Sequence, residues 1–184
     1  YMYFGGIWGG QLQRWRKGVF NASQPESPTA FLPKDNEPAL LPLVAKMTND
    51  LLQFDESPKE VEILDENGDL LLAGDNDRRF FEAAWLHKYN GKYYFSYSTG
   101  DTHFICYAIG DNPYGPFTYK GRILNPVVGW TSHHSICEFK GKWYLFYHDS
   151  SLSKGVTHLR SVKIAEIKYN DDGTIQTLEP YGIN

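Results

Sequence analysis

The stretch Gly91–Ser98 reads Gly-Lys-Tyr-Tyr-Phe-Ser-Tyr-Ser, and Gly141–His148 repeats it as Gly-Lys-Trp-Tyr-Leu-Phe-Tyr-His. The two copies begin 50 residues apart, at positions 91 and 141. A two-residue turn precedes each aromatic strand, Asn90-Gly91 in the first copy and Lys140-Gly141 in the second. Asn-Gly between alternating runs is typical of a β-hairpin, because that turn needs positive φ at its centre. A period near 50 residues built from hairpins predicts the blades of a β-propeller.

The start of the chain fits the same template. Tyr1–Gly5 aligns with Tyr94–Ser98, the second strand of a hairpin. We therefore expect the chain to begin inside a hairpin, with upstream residues lost or carried by another chain, since a strand seldom stands without its partner. No stretch has a convincing amphipathic helix pattern, and further strands are predicted at Gln11–Lys17, Leu43–Met47, Val61–Leu64, Phe104–Ile109, Phe117–Tyr119 and Ser161–Tyr169.

Bulk composition describes a globular chain. It has 184 residues, 41% of them apolar and 16% aromatic, enough for one domain with a hydrophobic core. The net charge of −4 and the scattered basic residues argue against nucleic acid as a partner. No apolar run approaches the roughly 18 residues of a membrane span. Cys106 and Cys137 are expected to be two buried free thiols, with a disulfide as the alternative.

Glu82 is the first candidate for chemistry. It follows Arg78-Arg79-Phe80-Phe81 and comes shortly before Trp85. One interpretation is a salt bridge to either arginine. The other is a general acid, which apolar neighbours keep protonated near neutral pH because they disfavour its charge.

The repeat brings a second candidate to the same place. Glu82 lies nine residues before Gly91, and the equivalent position in the next copy is Ser132, followed by His133. Equivalent positions in successive blades lie at the same depth around the propeller axis, so Glu82 and His133 are expected to converge. His133 and His134 should point to opposite faces of their strand, and a structural role is the alternative for each.

Four other residues are candidate sugar contacts. Trp8 lies between two pairs of glycines in the segment 5–11, and Gln11 ends it; an aromatic ring there could stack on a sugar and an amide could bond its hydroxyls. Trp130 has the same two interpretations as Trp8, a sugar platform or a core residue. Arg160 precedes a strand, and is either a surface arginine or a fork that binds sugar hydroxyls.

These motifs together resemble glycoside hydrolase family 43. Phe81-Glu82-Ala83 followed by residues 88–94 resembles its general-acid segment, and Ser132–Ile136 followed by residues 144–149 resembles its axial histidine segment. The turn at residues 111–117 and the strands from Arg160 to Ile175 are similar to further family motifs. The resemblance covers nearly the whole chain, in the family's order.

The resemblance implies a partial five-bladed β-propeller, about three blades, with residues 1–184 forming the C-terminal portion of one catalytic domain. It implies an inverting hydrolase acting on xylo- or arabino-oligosaccharides, with Glu82 as general acid. Phe81, Trp8, Gln11, Trp130 and Arg160 would be substrate contacts. His133 matches the axial histidine, which holds a water or a calcium ion; no cofactor is required, and a structural calcium is the one metal implied.

One departure limits the expected activity. The family's base and pKa-tuning aspartates precede the segment that matches Tyr1, and no aspartate of this sequence has their context. Inversion needs an acid and a base on opposite faces of the sugar. We therefore expect the chain to be inactive alone and to need the missing N-terminal half of the propeller, on the same polypeptide or a second chain. A noncatalytic sugar-binding propeller and a protein-binding propeller are the alternatives.

Overall fold

The computed structural model describes residues 1–7, 12–16, 19–23, 31–130 and 132–180, and the predicted contacts Trp8 and Gln11 lie outside these ranges. Strands dominate the described part, with one short 3-10 turn at Leu12–Arg14. The strands in chain order are β1 (Met2–Phe4), β2 (Trp15–Arg16), β3 (Val19–Phe20), β4 (Leu43–Ala45), β5 (Lys59–Glu60), β6 (Ile63–Leu64), β7 (Glu82–Tyr89), β8 (Lys92–Ser98), β9 (Ile105–Gly110), β10 (Phe117–Leu124), β11 (His134–Phe139), β12 (Lys142–Asp149) and β13 (Ser161–Ile167).

The strand predicted over Gln11–Lys17 is wrong in its first part. Leu12–Arg14 forms the 3-10 turn, and only Trp15–Arg16 is strand within the described residues. The Leu12 amide donates to the Gly6 carbonyl, and the Leu12 side chain is buried against Gly5. Burial of this leucine in the core therefore decides the local conformation.

The strands form three main sheets and one small hairpin. The first sheet has the order β1-β4-β5, the second β6-β10-β9-β8-β7, and the third β11-β12-β13, while β2 and β3 pair with each other. The second sheet is antiparallel except at its edge, where β6 runs parallel to β10. The all-β propeller-blade architecture predicted from the repeat is confirmed.

The two predicted turns join their strands with the expected backbone. Asn90 and Gly91 have φ of 45° and 79°, and Lys140 and Gly141 have 52° and 77°. Two consecutive positive φ values give a turn whose twist matches that of the strands it joins. In each repeat, the turn fixes the register of an aromatic hairpin.

Two apolar cores separate the sheets. The first core contains Val44 from the first sheet with Phe95 and Tyr97 from the second. The second core contains Tyr94 and Tyr107 from the second sheet with residues of the third. Because neighbouring residues of a strand face opposite sides, β8 contributes alternate aromatic rings to both cores. The second sheet is thus the middle layer, and the third sheet packs on only one of its faces.

The cysteine prediction is half right. Both thiols are free, and Cys106 is buried in the second sheet, but Cys137 on β11 is exposed. Cys137 lies on the face of the third sheet that points away from the second core, which explains its exposure. No helix in the described ranges has the length and apolar character needed to cross a bilayer.

Candidate active site

A β-bulge at the start of β7 sets the direction of Glu82. Glu82 is opposite Ser98 and Trp85 is opposite Ser96, so β7 holds one extra residue between these pairs. Ala83 in the bulge has a φ of 63°, which non-glycine residues seldom adopt. Trp85 lies three positions after Glu82, and a regular strand would put the two side chains on opposite faces. The bulge puts both on the face that looks toward the third sheet.

Glu82 meets His133 across the gap between the second and third sheets. The Nε2 atom of His133 lies 3.5 Å from Oε1 of Glu82, and the two side chains are 54% and 26% exposed. The carboxyl group is therefore partly shielded but reachable from solvent. The structure places these two residues, 51 positions apart in the sequence, at one site.

The sequence neighbours of Glu82 contact other parts of the protein. Phe80 and Phe81 are both buried in the first core. Arg78 pairs with Asp75 and Glu66, and Arg79 donates to the Ala73 carbonyl and to Asn76. The turn before β7 therefore supplies hydrogen-bond partners to both guanidinium groups. The aromatic pocket predicted from sequence neighbours is largely core packing, since those rings turn inward.

His134 is the first residue of β11, and like His133 it contacts the second sheet. Its Nε2 atom lies 2.7 Å from the Ser96 hydroxyl of the second sheet. Burial, together with the charges of His133 and His87, lowers the pKa of His134 to about 3. His134 is thus a neutral, structural histidine that ties the third sheet to the second.

His148 lies between His133 and Arg160. Its Nε2 atom accepts the His133 backbone N–H at 3.0 Å and lies 3.4 Å from Nη1 of Arg160. Burial lowers the pKa of His148, and the positive charges of Arg160 and His133 lower it further. A neutral ring can accept these donors, so His148 orients both neighbours. The sequence signal for it was its position 50 residues after Ser98, the partner of Glu82, at the same end of the repeat.

Asp149 holds the loop that carries Arg160. Its Oδ1 atom accepts the hydroxyls of Ser151 and Ser161 at 2.9 and 3.1 Å, which joins the two ends of the loop. Burial by itself raises the pKa of Asp149, but these hydrogen bonds and Lys163, 3.6 Å from Oδ2, bring it below the ordinary value. Arg160 also donates to the Thr157 carbonyl of the same loop. The arginine is therefore held from two sides.

Two predicted sugar contacts differ in exposure. Trp130 is 42% exposed and packs edge-on against His103, with ring centroids 5.2 Å apart. It offers ring surface to a ligand. Phe81 is 3% exposed and lies under Gly100. Its ring has little surface left for a sugar, because it fills the first core.

A calcium ion has no protein-ligated cage in the described residues. No group of three or more His, Cys, Asp or Glu side chains there is arranged to hold a metal ion. Calcium takes six to eight oxygen ligands, and the single imidazole of His133 does not fit that requirement. Calcium at His133 therefore stays a prediction from the resemblance.

Comparison with known proteins decides the family. The family model for glycosyl hydrolases family 43 matches residues 36–175. This chain belongs to glycosyl hydrolases family 43. A xylosidase/arabinosidase of Bacteroides ovatus is 62% identical over 179 residues, which cover 97% of this chain and 53% of that protein. A xylosidase/arabinosidase of Humicola insolens is 63% identical, with 98% of this chain and 55% of that protein covered.

Solved structures of family 43 share the fold. A β-xylosidase/α-arabinofuranosidase from a compost metagenome, described as a calcium-free form in complex with xylotriose, is 64% identical with a TM-score of 0.90. The match covers 98% of this chain and 54% of that one. This chain is therefore part of a five-bladed propeller, and it spans about half the length of the curated relatives it matches.

Proposed function

We propose that this chain carries the general acid of an inverting glycoside hydrolase that releases xylose or arabinose from xylan- or arabinan-derived oligosaccharides. Glu82 is the acid, and the base and the pKa-tuning aspartates belong to the part of the propeller that this chain does not span. The geometry that carries the proposal is the bulge that aims Glu82 across the sheets to His133, 3.5 Å away. Relatives named xylosidase/arabinosidase support the substrate class.

The surroundings of Glu82 suit proton donation. A general acid must be reachable by the leaving oxygen of the substrate, and the Glu82 side chain keeps 26% of its surface exposed. His133 lies beside Glu82, and His148 links the His133 backbone to the Arg160 side chain. Glu82 would protonate the departing sugar oxygen, while Arg160 and the exposed ring of Trp130 would hold the sugar.

The base must come from outside this chain. In inversion the two carboxyl groups stand roughly 6.5–9.5 Å apart, with a water on the far side of the sugar ring. The chain alone therefore supplies one half of the reaction. With the other half of the propeller, on the same polypeptide or a second chain, both the acid and the base would be present.

The test compares the chain alone with the chain plus the part of the Bacteroides ovatus relative that it does not cover. We expect no turnover of 4-nitrophenyl β-xyloside or 4-nitrophenyl α-L-arabinofuranoside by the chain alone, and turnover by the mixture. NMR of the first product should show an inverted anomeric centre.

Four outcomes would contradict the proposal. One is turnover by the chain alone at the rate of an ordinary glycosidase. Another is a product of retained configuration. The third is a mixture that binds xylotriose without cleaving it, which would favour a noncatalytic sugar-binding propeller. A mixture with no sugar protection in a thermal melt would favour the protein-binding propeller.

A further inference from the structure

A cavity of about 240 Å³ lies between four loop segments of the first and second sheets. Its walls come from the segment after β1, the segment before β4, the turn before β7 and the loop between β8 and β9. Arg79 and Phe81 are buried lining residues, while Asp35 and Asp101 are exposed ones. The cavity is separate from the site of Glu82 and His133, since neither of these residues lines it.

Hydrogen bonds between the four segments hold the cavity open. The Ile7 N–H donates to the Phe81 carbonyl at 2.9 Å, and the Gly74 N–H donates to the Asp35 carbonyl at 3.0 Å. In the β8–β9 loop, the Thr102 hydroxyl donates at 2.8 Å to the backbone carbonyl of residue 76 in the turn before β7. The cavity is therefore formed before any ligand binds, as is usual for small-molecule sites.

Arg79 brings an unpaired donor to this cavity. The side chain is 8% exposed, its Nε atom donates to the Ala73 carbonyl at 2.9 Å, and its Nη2 atom donates to Oδ1 of Asn76 at 2.7 Å. The third nitrogen, Nη1, is buried and has no hydrogen-bond partner in the part of the chain that the structure describes. Burial lowers the pKa of Arg79, and the charges of Asp101 and Asp75 oppose that shift. Because buried donors in proteins are nearly always paired, the free Nη1 points to an acceptor on a ligand.

The charges around the cavity favour a neutral ligand rich in hydroxyl groups. An anion would suit Arg79 but would be repelled by Asp35 and Asp101, and a cation would meet the opposite conflict. A sugar hydroxyl can accept from the guanidinium group and donate to a carboxylate, while Ile7 and Leu32 offer apolar surface to the C–H groups of the ring. The volume of about 240 Å³ is below the roughly 300 Å³ of the smallest sites for drug-sized ligands, so a single sugar ring is the expected size.

We propose that this cavity binds one free pentose, xylose or arabinose, at a second site apart from that of Glu82. The choice of a pentose rests on the proposed function, whereas the neutral, hydroxyl-rich class rests on the cavity alone. Phe81 connects the two sites, because it lines the cavity and directly precedes Glu82 in the chain.

A titration of the chain with D-xylose and with L-arabinose, followed by ¹H–¹⁵N NMR, measures this binding. We expect the amide signals of Ile7, Ala73 and Asp101 to move together and to saturate. Asp101→Ala should weaken the binding by about tenfold or more, since it removes a charged acceptor. Asp171→Ala, in the exposed turn over residues 170–173, is the matched control and should bind like the parent.

Inorganic phosphate is the charged counter-probe, and it should leave these amide signals in place. Movement with phosphate but not with either pentose would assign an anion site and overturn the proposal. Pentose binding that is unchanged in both Asp101→Ala and Asp35→Ala would also overturn it, as would pentose shifts confined to the surroundings of Trp130 and Arg160.

Glu82→Gln separates the second site from catalysis. It should abolish turnover in the mixture with the rest of the propeller and leave the pentose shifts at the cavity unchanged. An active mixture without pentose shifts at the cavity would overturn the second site and leave the proposed function standing. Pentose shifts at the cavity without turnover in the mixture would uphold the second site and refute the hydrolase.

Discussion

The orientation of Glu82, the proposed general acid, depends on its neighbour in the strand. Glu82 faces His133 because Ala83 adopts a φ of 63° and adds one residue to β7. A left-handed alanine costs about 1 kcal/mol relative to glycine, and sites of such strain often carry function. On the other sheet, His148 and the loop held by Asp149 fix His133 and Arg160. Glu82, His133 and Arg160 are thus each oriented by neighbouring residues.

Glu82→Gln should lower kcat/KM on xylobiose by about 100-fold or more when the chain is combined with the other half of the propeller. General-acid catalysis contributes a rate factor of about 10²–10⁴. The loss should be much smaller on 4-nitrophenyl β-xyloside, because 4-nitrophenolate leaves without a proton. Steady-state kinetics on both substrates measures this contrast. Glu66→Gln, at an exposed carboxylate paired with Arg78, is the control and should change neither. Equal losses on both substrates would refute the acid role.

Asp149→Asn should destabilise the chain by about 3 kcal/mol, because it leaves Lys163 without its buried counter-charge. The double variant Asp149→Asn/Lys163→Met should recover part of that loss, since it removes both charges. Urea unfolding of the two variants and the parent measures the coupling. Additive losses would show that the pair does not act as a unit.

At the scale of elements, the two hairpins differ by one turn residue. Asn90 and Lys140 occupy the same left-handed position in the repeat, with φ of 45° and 52°. Asparagine tolerates that region because its short amide can bond locally, while lysine has no such compensation. The β11–β12 hairpin therefore has a less suitable turn residue than the β7–β8 hairpin.

Lys140→Asn should stabilise the chain by about 0.5–1 kcal/mol, as changes to a compatible turn residue commonly do. The reciprocal change Asn90→Lys should destabilise it by a similar amount. Equilibrium denaturation of both variants gives the two values. If both changes destabilise, the turn type does not control the hairpin energy.

At the scale of the whole molecule, the interface of the second and third sheets is an aromatic layer with a histidine inside. The His87 ring stacks on Tyr94, and its centroid lies 5.2 Å from the ring centroid of Trp143. The His87 Nε2 atom is hydrogen-bonded to the Tyr169 hydroxyl at 2.8 Å. Trp85 donates to the Ile136 carbonyl across the same interface. Burial lowers the pKa of His87 to about 4. Protonation of His87 therefore opposes the contact between the two sheets.

Stability should fall as the pH is lowered from about 6.5 to about 4. Above pH 6.5 His87 is neutral in both the folded and the unfolded chain, so it adds no pH dependence to the stability. Between these values the unfolded chain takes up a proton that the folded chain refuses, and each pH unit then removes up to about 1.4 kcal/mol. Below pH 4 both states are protonated and this contribution is constant.

His87→Phe should flatten the dependence of the melting temperature on pH between 6.5 and 4, because phenylalanine keeps the ring packing and cannot titrate. The variant should be less stable than the parent at pH 7, by about 1–3 kcal/mol for the Tyr169 hydroxyl left without its partner. Calorimetry at half-unit pH steps checks both effects. An unchanged slope would assign the pH dependence to other groups, such as His134.

By itself, the sequence determined the hairpins, their period and the meeting of Glu82 with His133. Turn chemistry and side-chain alternation depend on a few neighbouring residues. The repeat gives successive blades the same geometry, so the local sequence is enough to predict these features. Only the tertiary structure decided the bulge that turns Glu82, the burial of Phe81 in the first core, the position of His148 and the exposure of Cys137. These depend on which sheet packs against which face, and residues distant in the chain settle that together.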